Sequence, residues 1–323
     1  MTRALVPFIA ALLSAPAWAG AQAESDAREW LERMSMASHS LNYAGTFVYQ
    51  HQGRLEAMHV VHAMDAEGER ERLFSLTGPR REVLRDNQEV TCILGDRQAV
   101  MVNKSLPRTA FPVSFPRELM QLEQNYRFKL LGEDRVAGLA CRLVEVQPRD
   151  LLRYGRRLCV HEESHLLLSL ELTDPRGEVI EQVMFTSIEF PERIDPEVLL
   201  PDLNDAGFSF RHQPEQQPAH DDGALNSRWK VLRVPAGFML TDHSWHQLSA
   251  QDSGVEHWVY SDGLASVSVY IEKSQQAQDS YSGVTHRGAL NAYGTMVSGH
   301  YVTVVGEVPR KTVELIGASV RLR

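Results

Sequence analysis

The stretch Tyr260–Glu272 reads YSDGLASVSVYIE. Asp262-Gly263 supplies the positive φ of a tight turn, and strict alternation follows it. Ala265, Val267, Val269 and Ile271 point one way; Ser266, Ser268, Tyr270 and Glu272 point the other. A period of two with one greasy side makes a strand that is wet on one face and buried on the other. The segment before the turn, Val255–Tyr260, is its hairpin partner.

Working outward, Phe238–Trp245 and Tyr301–Val305 read as further strands of the same sheet. Pro309 suits the first position of a helix that runs to about Ala318, and Val320–Leu322 closes the chain. Residues Trp229–Arg323 therefore form an α+β domain. Before them lies RHQPEQQPAHDDGALNSR, Arg211–Arg228, rich in Gln, Pro, Asp and His and almost free of apolar residues. Such a segment has too little to bury and reads as a linker.

Upstream, strands recur with turn punctuation. They span Tyr43–His51, Leu55–Ala63, Arg70–Leu76, Arg80–Asp86, Glu89–Leu94, Gln98–Asn103, Tyr126–Glu133, Leu139–Gln147, Arg156–His161, Leu166–Thr173 and Val179–Phe190. A helix opens this domain. Asp26 and Glu29 resemble a capping box, and Trp30, Leu31, Met34, Ala37 and Leu41 recur at helical spacing. A shorter helix is expected near Arg117–Gln124. Sequential antiparallel strands of this number predict a strongly curved sheet or open barrel, with the two helices over its mouth. The fold class is α+β throughout.

The first residues read as an export signal over 1–23. Arg3 is followed by the ten apolar residues Ala4–Leu13, too short to span a bilayer, and cleavage is expected after Ala19 or Ala23. The domains then run over 24–210 and 229–323, joined by 211–228. The formal charge is −9 and drops by one more unit when Arg3 is removed. An acidic chain without a basic stripe is not a nucleic-acid binder. Arg80-Arg81 and Arg153–Arg157 are the local clusters able to hold an anion.

Three cysteines in an exported chain allow one disulfide. Cys141 and Cys159 flank a turn centred near Asp150, so a bridge between them is open to test. Cys92 is either a buried free thiol or a partner for another cysteine.

Catalytic motifs are weak. His161-Glu162-Glu163-Ser164-His165 matches H-E-x-x-H, which needs a helix to bring both imidazoles to one zinc ion. Here strand-like segments flank it, and extended residues four apart lie about 13 Å from each other. His59 and His62 fall on opposite strand faces. No nucleophile elbow or phosphate loop is present. No enzyme activity, metal or cofactor is expected.

What remains is a binding surface. Phe47, Tyr49, Met58, Val60, Met101 and Phe128 on strands, with Leu119, Met120 and Leu122 on the short helix, could line an apolar groove; Met and aromatic side chains suit adaptable surfaces. An ordinary core is the plain alternative for each of them.

Together, Tyr260–Glu272, Val234-Pro-Ala-Gly-Phe238, VTVVGEVP at Val302–Pro309, Gly78-Pro-Arg-Arg-Glu-Val83 and Arg156–Phe190 resemble the RseB/MucB family of periplasmic sigma-factor regulators. The resemblance spans most of the mature chain. It implies an N-terminal domain similar to the lipoprotein carrier LolA, an open barrel around an apolar groove for acyl chains. It implies a periplasmic negative regulator of an envelope-stress, alginate-type sigma factor. Its partners would be the periplasmic part of a MucA/RseA-type anti-sigma factor and lipopolysaccharide or another acylated molecule, with homo-oligomers possible. Tyr260, Asp262, Gly263, Leu264 and Ser266 are the expected partner contacts. A lipid or lipoprotein carrier is the alternative.

Overall fold

The computed structural model describes residues 17–87, 89–95, 99–103, 115, 119–201, 209–212, 227–246, 254–273 and 282–323. Helix α1 (Ala17–Ser40) leads into β1 (Tyr43–His51), β2 (Arg54–Asp65), β3 (Gly68–Ser75), β4 (Arg81–Asp86), β5 (Glu89–Leu94) and β6 (Ala99–Asn103). A 3-10 turn at Leu119–Gln124 precedes β7 (Tyr126–Val136), β8 (Leu139–Pro148), β9 (Gly155–His161), β10 (Leu167–Thr173) and β11 (Val179–Glu189). After a second 3-10 turn at Pro196–Leu199, the short β12 (Ser209–His212) completes a twelve-stranded sheet.

The strand order is β12-β6-β5-β4-β3-β2-β1-β11-β10-β9-β8-β7. Every pair is antiparallel except β12 against β6. The sheet curls, since β7 reaches β11 although three strands separate them. Helix α1 packs on β7 and β8. It buries Ala27, Leu31 and Met34 at helical spacing. Among the described residues it already runs from Ala17, so Asp26 lies inside the helix and not at its N-cap.

The C-terminal domain holds β14 (Met239–His246), β15 (Val255–Ser261), β16 (Ser266–Lys273), β17 (Gly283–Arg287), β18 (Leu290–Val297) and β19 (His300–Gly306). They form one sheet in the order β14-β15-β16-β19-β18-β17. Helix α2 (Arg310–Gly317) covers one face of it, and β13 (Trp229–Val231) pairs with β20 (Val320–Leu322). Val267, Val269 and Ile271 are buried with Val302, Val304, Val313 and Ile316, while Ser266 and Glu272 face solvent. The alternation read from the opening stretch is thus the core of this domain.

Two expectations shift. Strands β17 and β18 were not foreseen: Gly294 and Asn291 dilute the apolar alternation that marks a strand. The linker was expected from Arg211, but β12 carries the sheet to His212.

Cys141 and Cys159 are joined by a disulfide, with Cα atoms 5.4 Å apart. They are diagonal neighbours, since Cys141 pairs with His161 and Cys159 with Leu143. The register is offset by two residues from a turn centred on Asp150, and an even offset keeps both side chains on one face. Cys92 is a half-buried free thiol whose pKa is raised by burial.

Candidate functional site

The apolar candidates fall into two clusters. Phe47 and Val60 are buried beside partly buried Tyr49 and Met58, with Tyr43, Phe185 and Leu168 around them. Cross-strand pairing puts Gly45, Val60, Leu73, Val83, Cys92 and Met101 in one row across six strands, with Phe47 and Met58 opposite each other two residues along. Met101 holds its place in that row, and its side chain lies outside the described residues. Leu119, Leu122 and Phe128 belong to the other cluster, a layer between α1 and the sheet with Leu31, Met34, Tyr126, Val144 and Leu158. Met120 points out at 68% exposure, because a 3-10 turn buries positions three apart and leaves the next one outside.

At the rim of the first cluster sits a buried polar group. Tyr43 stacks on His62 at 4.9 Å. Glu69 Oε1 lies 3.0 Å from His39 Nδ1 and 3.3 Å from His62 Nε2. Burial disfavours the Glu69 carboxylate, but those two histidines outweigh it and hold its pKa well below the usual range. Glu71 beside it is pushed the other way, upward, by burial.

The turn that opened the sequence reading is where the domains meet. Asp262 accepts from Leu264 N–H (3.0 Å) and Ala265 N–H (2.8 Å) through Oδ1. Its Oδ2 accepts from Tyr126 O–H (2.9 Å) and Arg153 Nε–H (2.5 Å), both in the N-terminal domain. The guanidinium of Arg153 also donates to Asp150 and to the carbonyl of Ala236, and it lies 5.0 Å from the Phe238 ring centre. Burial lowers the pKa of Arg153, yet Asp262 and Asp150 more than compensate and keep it above its ordinary value. Arg156 donates to the carbonyl of Leu264 (2.8 Å), and Leu264 itself packs against the α1 layer.

Further contacts extend the seam. Asn291 donates to Tyr154 Oη (3.0 Å), Thr312 Oγ1 donates to the carbonyl of Leu152 (2.7 Å), and Ala289 N–H donates to Glu181 (2.8 Å). Tyr49 donates to the other oxygen of Glu181 at 2.5 Å. Gly237 has φ +81°, and a Cβ there would run into the Asn125 side chain, so only glycine allows this approach.

These placements bear on three expectations. Tyr260 is core, and burial pushes its phenol up to about 12. Asp262 and Leu264 are spent on the seam, and of the five expected contacts only Gly263 and Ser266 are exposed. Arg153–Arg157 is not an anion site: Arg153 and Arg156 are used at the seam, and Arg157 pairs with Glu171 at 2.7 Å. Sequence reasoning missed the seam because Asp-Gly signals a turn whether or not the turn docks on anything.

Around the H-E-x-x-H match, His161 ends β9 and its Nδ1 lies 2.7 Å from Ser164 Oγ. His165, at φ +60°, packs on Trp30 instead.

The chain matches the model of the MucB/RseB N-terminal domain over residues 26–203 and that of the MucB/RseB C-terminal domain over 223–321. It is 31% identical to the sigma factor AlgU regulatory protein MucB of Pseudomonas aeruginosa, covering 99% of this chain and 97% of that protein. It is 26% identical to the sigma-E factor regulatory protein RseB of Escherichia coli K12, across 90% of this chain and 89% of that one. Among solved structures, the Pseudomonas aeruginosa MucA/MucB complex superposes with TM-score 0.72 at 27% identity, over 92% of this chain and 99% of the other. Two domain models in sequence order, a full-length relative and a superposition that spans both domains agree: the chain belongs to the MucB/RseB family.

Proposed function

We propose that this chain is a periplasmic negative regulator of an envelope-stress sigma factor. It grips the periplasmic segment of a MucA/RseA-type anti-sigma factor, shields that segment from the site-1 protease, and lets go when lipopolysaccharide or another acylated envelope molecule binds. The observation that carries this reading is the superposition on MucB in its complex with MucA, which extends over nearly the whole of both chains.

Features of the chain itself support the remaining parts. Arg3 and Ala4–Leu13 suit export, and no described helix is long and apolar enough to cross a membrane. The apolar row Val60, Leu73, Val83 and Cys92 and the layer beneath α1 are the apolar surfaces against which an acyl chain would lie. Release is linkage: a ligand that prefers the partner-free form weakens the complex by its preference. A hundredfold preference, about 2.7 kcal/mol, makes a clear switch. A lipid carrier would use the same layer but has no need of a second domain held by buried ions.

The test is protection. The purified anti-sigma periplasmic segment is exposed to its site-1 protease with and without this protein. The reading expects cleavage to slow in proportion to bound protein and to recover on adding lipopolysaccharide. Equal cleavage with and without the protein, at concentrations where binding is saturated, contradicts it.

A further inference from the structure

A cavity of about 320 Å³ lies at the ends of β8, β9 and β10, between the loop that follows Pro148 and the Asp174–Gly177 turn. Gly155 and Thr173 face each other across the ladder there. A Cβ on Gly155 would stand 2.6 Å from Thr173 Oγ1, so glycine leaves that hydroxyl its space. Thr173 is only 9% exposed and lines the cavity, and its hydroxyl has no hydrogen-bond partner among the described residues.

Three carboxylates stand on the walls. Asp150 is paired with Arg153, and Glu145 faces Lys129 at 3.7 Å. Asp174 differs from both. Its Oδ1 accepts from the N–H groups of Arg176 (2.8 Å) and Glu178 (3.0 Å), which shapes the turn. Its Oδ2 has no partner, and no cation pairs with it, among the described residues. Two arginines also line the cavity. Arg149 turns its Nε to the carbonyls of Glu123 (3.0 Å) and Tyr126 (3.1 Å), and Arg176 is exposed on the turn.

A buried hydroxyl and a half-buried carboxylate without partners both gain from a donor. A lysine ammonium or an arginine guanidinium carries several N–H donors and no acceptor, and its alkyl stem suits the apolar faces of Pro148 and Pro175. Three wall carboxylates disfavour an anion. The volume is at the low end for ligand sites, roughly 300–1,000 Å³, and fits one side chain better than a whole molecule. Asp150 also holds Arg153, so the cavity adjoins the seam between the domains.

We propose that this cavity is a socket for one basic side chain of the anti-sigma periplasmic segment, with Asp174 Oδ2 as its counter-ion and Thr173 Oγ1 as its second acceptor. The socket rests on the anti-sigma half of the proposed function for its occupant.

Calorimetry on the mature chain measures affinity for the soluble segment in Asp174→Asn, Thr173→Val and Glu178→Gln. Asn keeps the acceptor that shapes the turn, Val keeps the shape of Thr, and Glu178 is an exposed carboxylate beside the same turn but outside the cavity. The socket predicts that the first two variants each weaken binding by about tenfold and that Glu178→Gln does not. Each Lys and Arg of the segment is then changed to Gln in turn. One of these changes should weaken binding to the unaltered protein and have no further effect on Asp174→Asn.

Unchanged affinity in both cavity variants, or segment changes whose effects all simply add to that of Asp174→Asn, overturns the socket and leaves the regulator reading standing. No affinity of the unaltered protein for the segment overturns both.

Discussion

Arg153 donates from Nε to Asp262 Oδ2 at 2.5 Å, and both side chains have no solvent-exposed surface. The pair joins the two domains across 109 residues of sequence. A charge pair buried this deeply adds little net stability over a well-packed apolar pair, but it is unforgiving of losing one member. It fixes which way the domains face, because Asp262 is satisfied only when Tyr126 and Arg153 are both in place.

Asp262→Asn removes the counter-charge from a buried guanidinium that keeps only Asp150. It should lower stability by about 3 kcal/mol, at the low end of the range for a broken buried pair, since Asp150 remains. Urea denaturation checks this. Asp262→Asn combined with Arg153→Met should lose less than the sum of the two single changes, because the stranded charge is gone as well.

Gly237→Ala should cost about 1–2 kcal/mol from its positive φ and its collision with Asn125. The added change Asn125→Ala removes the collision and should return part of that loss. A thermal melt of the single and double variants separates the backbone part from the steric part.

The Cys141–Cys159 bridge closes a loop with a sequence separation of 18. Restricting an unfolded loop of that length is worth about 3 kcal/mol. Replacing both cysteines by alanine should shift the urea midpoint accordingly, while Cys92→Ser should leave it nearly unchanged. A mass shift on alkylation of one thiol in the native protein, rising to three only after reduction, checks the pairing.

Much of the fold was legible wherever burial is one-sided. Tyr43–His51 and Glu89–Leu94 appear with the bounds read from their sequences, because alternation and turn residues agree there. Legibility failed where the deciding partner is distant. Asp262 reads as a turn former, Arg153 as one cation of a cluster, and Gly237 as a loop residue. Their roles exist only because residues from two domains converge, and no local period records that. The groove residues show the same limit: Leu119, Met120 and Leu122 read alike from the sequence although Met120 points out, and nothing in the sequence separates Leu119 and Leu122 from Phe47 and Val60 into different clusters.

The carboxylates at the rim of the first cluster titrate in opposite senses. The pKa of Glu71 is raised in the fold above its ordinary 4.5, so the folded state is disfavoured once the group must ionise. Glu71→Gln should therefore raise the melting temperature at pH 7, with the gain fading as pH falls below about 4.5. The pKa of Glu69 is lowered, so its contribution is present above 4.5 and lost as pH falls further. Glu69→Gln should lower the melting temperature at pH 7 and converge with the unaltered protein in acid. Melting curves from pH 3 to pH 7 distinguish the two signs.

Calorimetric titration of the mature protein with a soluble anti-sigma periplasmic segment, repeated with lipopolysaccharide present, tests the central claim most directly. The account predicts tight binding that lipopolysaccharide weakens by about a hundredfold. Lipopolysaccharide binding with no affinity for the segment would contradict it and make the protein a carrier.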